Sequence, residues 1–341
     1  MDYLTLLGTI APVFLIIGAG YGIRRIGWLN AEADASLMRV IVNLLYPCLI
    51  LDTILGNIAL NEPGNVLLAP LVGFATVMGG YALSYIAAPL FGVREPRQRR
   101  TFAFTTGIYN YGYLALPLAQ KLFDGPEGNS RTSGVLFVHN VGVEIALWTA
   151  GLLLLQGRGT LVEPLAPVQT GDPAKRPMGF RFPPMLARVL NAPVLAILVA
   201  AALHFAGARH WMPQVGLSAI HSLGAAALPL GLILTGATFA DEMRNLHGGN
   251  RLGVSVGACL LRLGVLPVLF LCLARWLPCP IELQRVILIQ AAMPSAVIPV
   301  LLARHYGGDP GTAMRIVLVT SLTALLTIPL WIQIGMRWLG W

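Results

Sequence analysis

Charge is what this sequence has least of. Only 11% of its 341 residues are Asp, Glu, Lys or Arg, while 56% are hydrophobic and the mean hydropathy is +0.72. A water-soluble domain carries about 25% charged residues, so a chain this poor in charge cannot cover a globule with polar groups. Most of its surface must face lipid. Cysteine is scarce as well. Cys48, Cys259, Cys272 and Cys279 form no CxxC pair and have no His at ligand spacing, so they read as packing residues rather than a metal site or a disulfide frame. Also missing are a nucleotide-binding loop, HExxH, GxSxG and paired intramembrane aspartates. These absences argue against a primary pump and against a membrane-embedded enzyme, and no cofactor is expected. The net charge of +8 would suggest a nucleic-acid partner in a soluble protein. Here the basic residues lie in short loops between apolar runs, with no basic helix or aromatic platform, so that partner is excluded.

What the chain does have is a series of apolar runs. A bilayer core of ~30 Å needs roughly 20 apolar residues per helix. Runs of that size centre on about residues 4–23, 36–56, 66–92, 101–121, 133–157, 187–207, 215–239, 252–274, 285–304 and 314–336. The expected fold is therefore an all-α polytopic membrane protein of ten transmembrane helices. The first run starts beside Asp2, lacks a basic flank and is too long for a signal peptide, so it reads as a span. Sixteen of the 23 Lys and Arg residues fall in or beside the loops after odd-numbered spans, six fall on the other side, and Arg262 alone lies inside a span. The positive-inside rule makes the odd loops cytoplasmic and puts both termini outside, in a multi-pass protein of the cell inner membrane.

The longest connection, residues 158–186, includes GRGTLVEPLAPVQTGDPAKRP and reads as a cytoplasmic linker. It separates residues 1–157 from 187–341, five expected spans each. A duplicated unit with an odd number of spans returns in inverted topology. Two proline pairs support the duplication: Pro47 and Pro229, and Pro117 and Pro299, are both 182 residues apart. Inverted repeats with paired, interrupted helices point to a transporter's binding site.

The fourth span collects Gly107, Asn110, Gly112 and Pro117, and the ninth contains Pro294 and Pro299. These residues make poor continuous helix. Unwound backbone at membrane depth is tolerated only where it faces protein or a wet cavity. Two crossing, broken helices 4 and 9 are therefore expected, with helix N-termini that favour an anionic group. Other polar residues at membrane depth are Glu144, a candidate proton-coupling carboxylate with His139 and Asn140 one turn away, and Arg262. Arg262 either neutralises a substrate carboxylate or, the blander reading, pairs with Glu144. Lys121 and Arg304, which follow the two breaks, either snorkel or attract an anion, and Thr320 and Ser321 offer hydroxyls.

NYGYLALPL in the fourth span, AAMPSAVIPVLLARHYG in the ninth and LPLGLILTGATFA in the seventh resemble the auxin efflux carrier family. That family includes plant PIN auxin transporters and bacterial permeases proposed for malonate and malate. The resemblance implies a five-plus-five inverted repeat in which spans 1, 2, 6 and 7 form a scaffold and spans 3–5 and 8–10 a moving transport domain. It also implies homodimers through the scaffold. Substrate contacts are implied near Asn110 and Pro117 in one broken helix, and near Pro294, Ser295 and Pro299 in the other. The plant carriers have an Asn before the ninth-span break. Here that stretch is Gln290-Ala291-Ala292-Met293, leaving Gln290 as the available amide. Tyr109, Tyr111 and Tyr113 are candidates to line an aromatic pocket. The expected function is a secondary transporter of a small carboxylate, such as malonate, malate or an auxin-like acid, working by alternating access. The alternatives are a sodium-coupled symporter of the bile-acid type and, in a different class, an intramembrane enzyme or a sensor.

Overall fold

The computed structural model describes residues 3–125, 131–156, 192–244 and 252–341, so the expected linker at 158–186 lies outside the described residues. Among the described residues the chain is helical, and the only pairing of extended backbone is one isolated bridge. Among the described residues, seven helical runs are long and apolar enough to cross a membrane. They are α1 (Tyr3–Arg25), α2 (Glu32–Ile54), α3 (Pro63–Phe91), α6 (Arg131–Gln156), α8 (Gln214–Asp241), α9 (Leu252–Trp276) and α12 (Pro310–Leu339). The chain is a multi-pass membrane protein.

The other three expected spans take shorter forms. The sixth appears as α7 (Ala192–Phe205), since residues 187–191 fall outside the described part. The fourth divides into α4 (Pro96–Gly107) and α5 (Ala115–Ala119), which continues as a π-turn over Gln120–Asp124. The ninth divides into α10 (Ile281–Ala292) and α11 (Ile298–His305). Both interruptions fall in segments the sequence marked as poor helix.

The most extensive helix contacts fall into two sets, which are joined by α1 against α12 and by α2 and α7 against α6. In one, α1 lies along α8, and α2 packs on both α7 and α8. The α1–α8 contact is backbone-close: a Cβ added at Gly20 would meet the Ile233 backbone, and one at Gly236 the Ile17 carbonyl. Without water to drive association, such small-residue contacts hold membrane helices together by dispersion. At one end Arg24 of α1 pairs with Asp34 of α2, and its Nε lies 3.3 Å from Asp241 of α8. In the other group, α3 packs on α4 and α6, and α10 touches α6, α9 and α12.

Two local irregularities matter for the site. The helix widens to a π-turn at Ile41–Leu45 and again at Leu261–Val265. Each π-turn lies just ahead of a proline, Pro47 or Pro267, whose missing N–H already breaks the i→i−4 ladder. Arg262 sits in the second of these turns.

Candidate functional site

Backbone groups released by a broken helix find no partner in lipid, so each break must be satisfied by protein. Here the two breaks satisfy each other. The Asn110 amide donates to the Pro294 carbonyl at 2.8 Å, and the Ala296 amide donates to the Ile108 carbonyl at 3.1 Å. These bonds make an antiparallel bridge between Tyr109 and Ser295, and they cross the two interrupted helices at their unwound middles. The Ser295 amide is further satisfied by the Thr320 hydroxyl of α12 at 3.3 Å.

The prolines are displaced from their expected role. Pro117 lies inside α5, and Pro299 lies in the first turn of α11, each just past the break. The first turn of a helix has no acceptor for its amides, so a residue without one fits there at little cost. Only Pro294 belongs to an unwound segment, and its carbonyl is half of the crossing.

The helix α6 ties both breaks together through Asn140. The Asn140 Nδ2 donates to the Tyr111 carbonyl at 2.9 Å, and its Oδ1 lies 3.4 Å from both Gln290 Nε2 and His139 Nδ1. Asn110 Oδ1 accepts weakly from the Leu114 amide at 3.4 Å. Four buried polar atoms around this crossing have no hydrogen-bond partner: Gln290 Oε1, Ser295 Oγ, His139 Nε2 and Arg262 Nη1. Buried polar groups are nearly always paired, so a cluster of unpaired ones is a place prepared for water or solute.

Glu144 accepts from the Tyr111 hydroxyl at 2.8 Å and from Trp148 Nε1 at 2.7 Å. The Glu144–Arg262 pair weighed above is not how Arg262 is held. Arg262 donates from Nε to the Met293 carbonyl at 2.9 Å and from Nη2 to the Gln290 and Ala291 carbonyls at 3.0 and 3.4 Å. The end of α10 presents carbonyls with no further turn of helix to bond them, and the guanidinium takes that place.

The three tyrosines do not converge on one pocket. Tyr109 is fully buried, bonds the Thr76 hydroxyl at 2.8 Å and packs edge-on to Phe270 at 5.8 Å. Tyr111 reaches Glu144, and Tyr113 stacks edge-on against Tyr46 of α2 at 5.9 Å and lies against Gly231 of α8. Successive residues of an unwound segment point in different directions, which a one-dimensional cluster of tyrosines does not reveal. Trp148 and Thr76 were missed in the sequence. Trp148 was accessible to reasoning, being four residues from Glu144 and so on the same helix face.

Lys121 donates to the Thr9 carbonyl of α1 at 3.3 Å. Among the described residues no group of three His, Cys, Asp or Glu side chains is placed to hold a metal. A cavity of about 710 Å³ lined by Glu62, Arg131 and Glu282 opens where α3, α6 and α10 begin, away from the crossing.

Comparison with known proteins bears on the whole chain. A family model described as "Membrane transport protein" matches residues 5–332. An uncharacterized transporter of Methanocaldococcus jannaschii is 23% identical over 94% of this chain and 95% of its own length. Another from Methanothermobacter thermautotrophicus is 24% identical, over 95% and 96%. Protein ECM3 of Saccharomyces cerevisiae is 33% identical over a shorter stretch, 34% of this chain and 19% of its own.

Proposed function

Because the chain belongs to the membrane transport protein family, that of the auxin efflux carriers, we propose that it is a secondary carrier of a small organic anion. The observation that carries this reading is the bridged crossing of the two broken helices. Alternating access needs a site near mid-membrane that either side can reach, and paired interrupted helices supply one. The N-termini of α5 and α11 start from the crossing, and the positive ends of helix dipoles favour negative charge there. Asn110, whose Nδ2 makes no hydrogen bond among the described residues, and the unpaired Ser295 Oγ supply donors for a carboxylate, while Gln290 Oε1, an acceptor, suits a substrate hydroxyl or acid proton. A monocarboxylate or dicarboxylate such as malonate or malate fits these groups. Pro294 shapes the gap between them, and Glu144, with His139 and Asn140, is the candidate for proton coupling.

In this reading the chain has ten spans, with spans 4, 6 and 9 supplied by α4–α5, α7 and α10–α11. They form two inverted five-helix repeats joined by the cytoplasmic linker, with both termini outside the inner membrane. The two packing groups suit a scaffold of spans 1, 2, 6 and 7, which pairs two copies of the chain, and a transport domain of the remaining spans.

The test is a thermal-stability screen of the purified chain against mono- and dicarboxylates, followed by uptake in proteoliposomes. A carboxylate-selective shift that Asn110→Ala abolishes is the expected result. Stabilisation only by cations or neutral solutes overturns the anion reading.

A further inference from the structure

The two broken helices end their first halves in different ways. At the end of α4, Gly107 lies against Gly80 of α3. A Cβ on Gly80 would strike the Gly107 carbonyl, and one on Gly107 would strike the Gly80 backbone and the Tyr81 ring. No side chain fits between them. At the end of α10 the corresponding space holds a guanidinium.

The Arg262 side chain is 0% exposed, and three backbone carbonyls, of Gln290, Ala291 and Met293, surround its Nε and Nη2. Its charged carbon also lies 5.3 Å from the ring centres of both Tyr109 and Phe270. Among the described residues no carboxylate lies within ion-pair distance of it. Carbonyl oxygens at an unwound helix end, with aromatic faces alongside, are the surroundings of a bound monovalent cation. A guanidinium stays charged at any working pH and, unlike a free ion, cannot leave.

We propose that Arg262 fills a cation site at the ninth-span break as a tethered, permanent ion, so that the carrier cycles without sodium or any other dissociable cation. The consequence for coupling rests on the carrier function proposed above, but the site itself can be measured without transport. A dissociable ion would add its charge only to the loaded carrier, whereas Arg262 keeps its charge in place when the carrier returns empty. It also leaves one donor, Nη1, buried and unpaired beside the crossing.

Thermal melts of the purified full-length chain in sodium, potassium and choline chloride at equal ionic strength, and in choline chloride with millimolar methylguanidinium, test the site. Wild type and Arg262→Lys are expected to melt alike in every salt. Arg262→Ala is expected to melt lower in choline and to recover by roughly 4 °C or more with sodium, potassium or methylguanidinium. If Arg262→Ala cannot be purified, Arg262→Ser, too short to fill the space left by the guanidinium, in the same salts gives the same reading. A melting point that is independent of the cation in the variant overturns the proposal. So does a tenfold loss of wild-type uptake when choline replaces sodium. If wild type takes up no carboxylate under any condition, the carrier reading fails while the melts still decide the site.

Discussion

Glu144 holds two donors at once, the Tyr111 hydroxyl and Trp148 Nε1, and so links α6 to the first break. A charge at membrane depth costs about 3 kcal/mol on insertion scales, and two strong hydrogen bonds offset much of that. Glu144→Gln keeps the size but has only one acceptor oxygen, so one of the two donors meets an amide NH2. Uptake is expected to fall roughly tenfold, equivalent to about 1.4 kcal/mol, and its pH dependence to flatten. Trp148→Phe removes one donor without removing the carboxylate, and its pH profile should keep the wild-type shape. Proteoliposome uptake across a pH series checks both, and an unchanged rate and pH profile in Glu144→Gln ends the coupling role. At this scale the sequence was only half legible. A Glu, an Arg, an Asn and a Gln in apolar runs announce themselves because each is expensive there. Which of them meet depends on where each side chain points, and Arg262, in the π-turn at Leu261–Val265, reaches backbone carbonyls rather than Glu144.

At the scale of elements, the breaks were legible because Gly and Pro weaken a helix wherever they stand. Their exact seats were not legible, because Pro117 and Pro299 mark where helix resumes rather than where it stops. Pro294 is different, since it lies in the non-helical stretch 293–296, where its carbonyl can accept from Asn110. Pro294→Ala restores an amide and lets α10 run on, at the expense of the crossing. Carboxylate stabilisation and uptake should both fall about tenfold or more, while helical content by circular dichroism stays level or rises slightly. A second element-scale device lies outside the spans. Asp124 caps the start of α6, accepting from the Thr132 amide at 2.8 Å, the Ser133 amide at 3.1 Å and the Ser133 hydroxyl. Losing such a cap costs about 1 kcal/mol, so Asp124→Ala should lower the melting point by a few degrees. Burial holds the Asp124 carboxyl above the usual carboxylate range, outweighing the Ser133 and Thr132 hydrogen bonds that pull it down. Ionisation therefore costs the folded chain more than the unfolded one. The contribution of Asp124 to stability should fall as pH rises from the ordinary carboxylate value through its raised one, then level off. Asp124→Asn removes that slope, which melts across pH 3 to 7 would show (roughly the carboxylate titration range).

For the whole molecule, hydropathy made the membrane class plain, since a chain with 11% charged residues has no other solvent to suit it. Which helices move together was beyond sequence, because every span is apolar on most faces and lipid-facing and protein-facing sides look alike. The proposed division into scaffold and transport domain places a sliding surface where the first break meets α2 and α8. Tyr113 lies there, edge-on to Tyr46 and directly over Gly231. A Cβ at Gly231 would run into the Tyr113 ring, so the missing side chain is what lets an aromatic residue lie on α8. If the transport domain travels along this surface, a bulky residue at Gly231 obstructs the movement while leaving Asn110, Gln290 and Ser295 in place. Gly231→Leu is therefore expected to keep its carboxylate-induced thermal shift and lose uptake by about tenfold or more, a block of at least ~1.4 kcal/mol in the translocation step alone. Tyr113→Ala in the same background makes room for the leucine and should recover part of the flux. Loss of the thermal shift together with uptake would instead place Gly231 at the binding site. Normal uptake by Gly231→Leu would mean that the two groups do not slide past each other here.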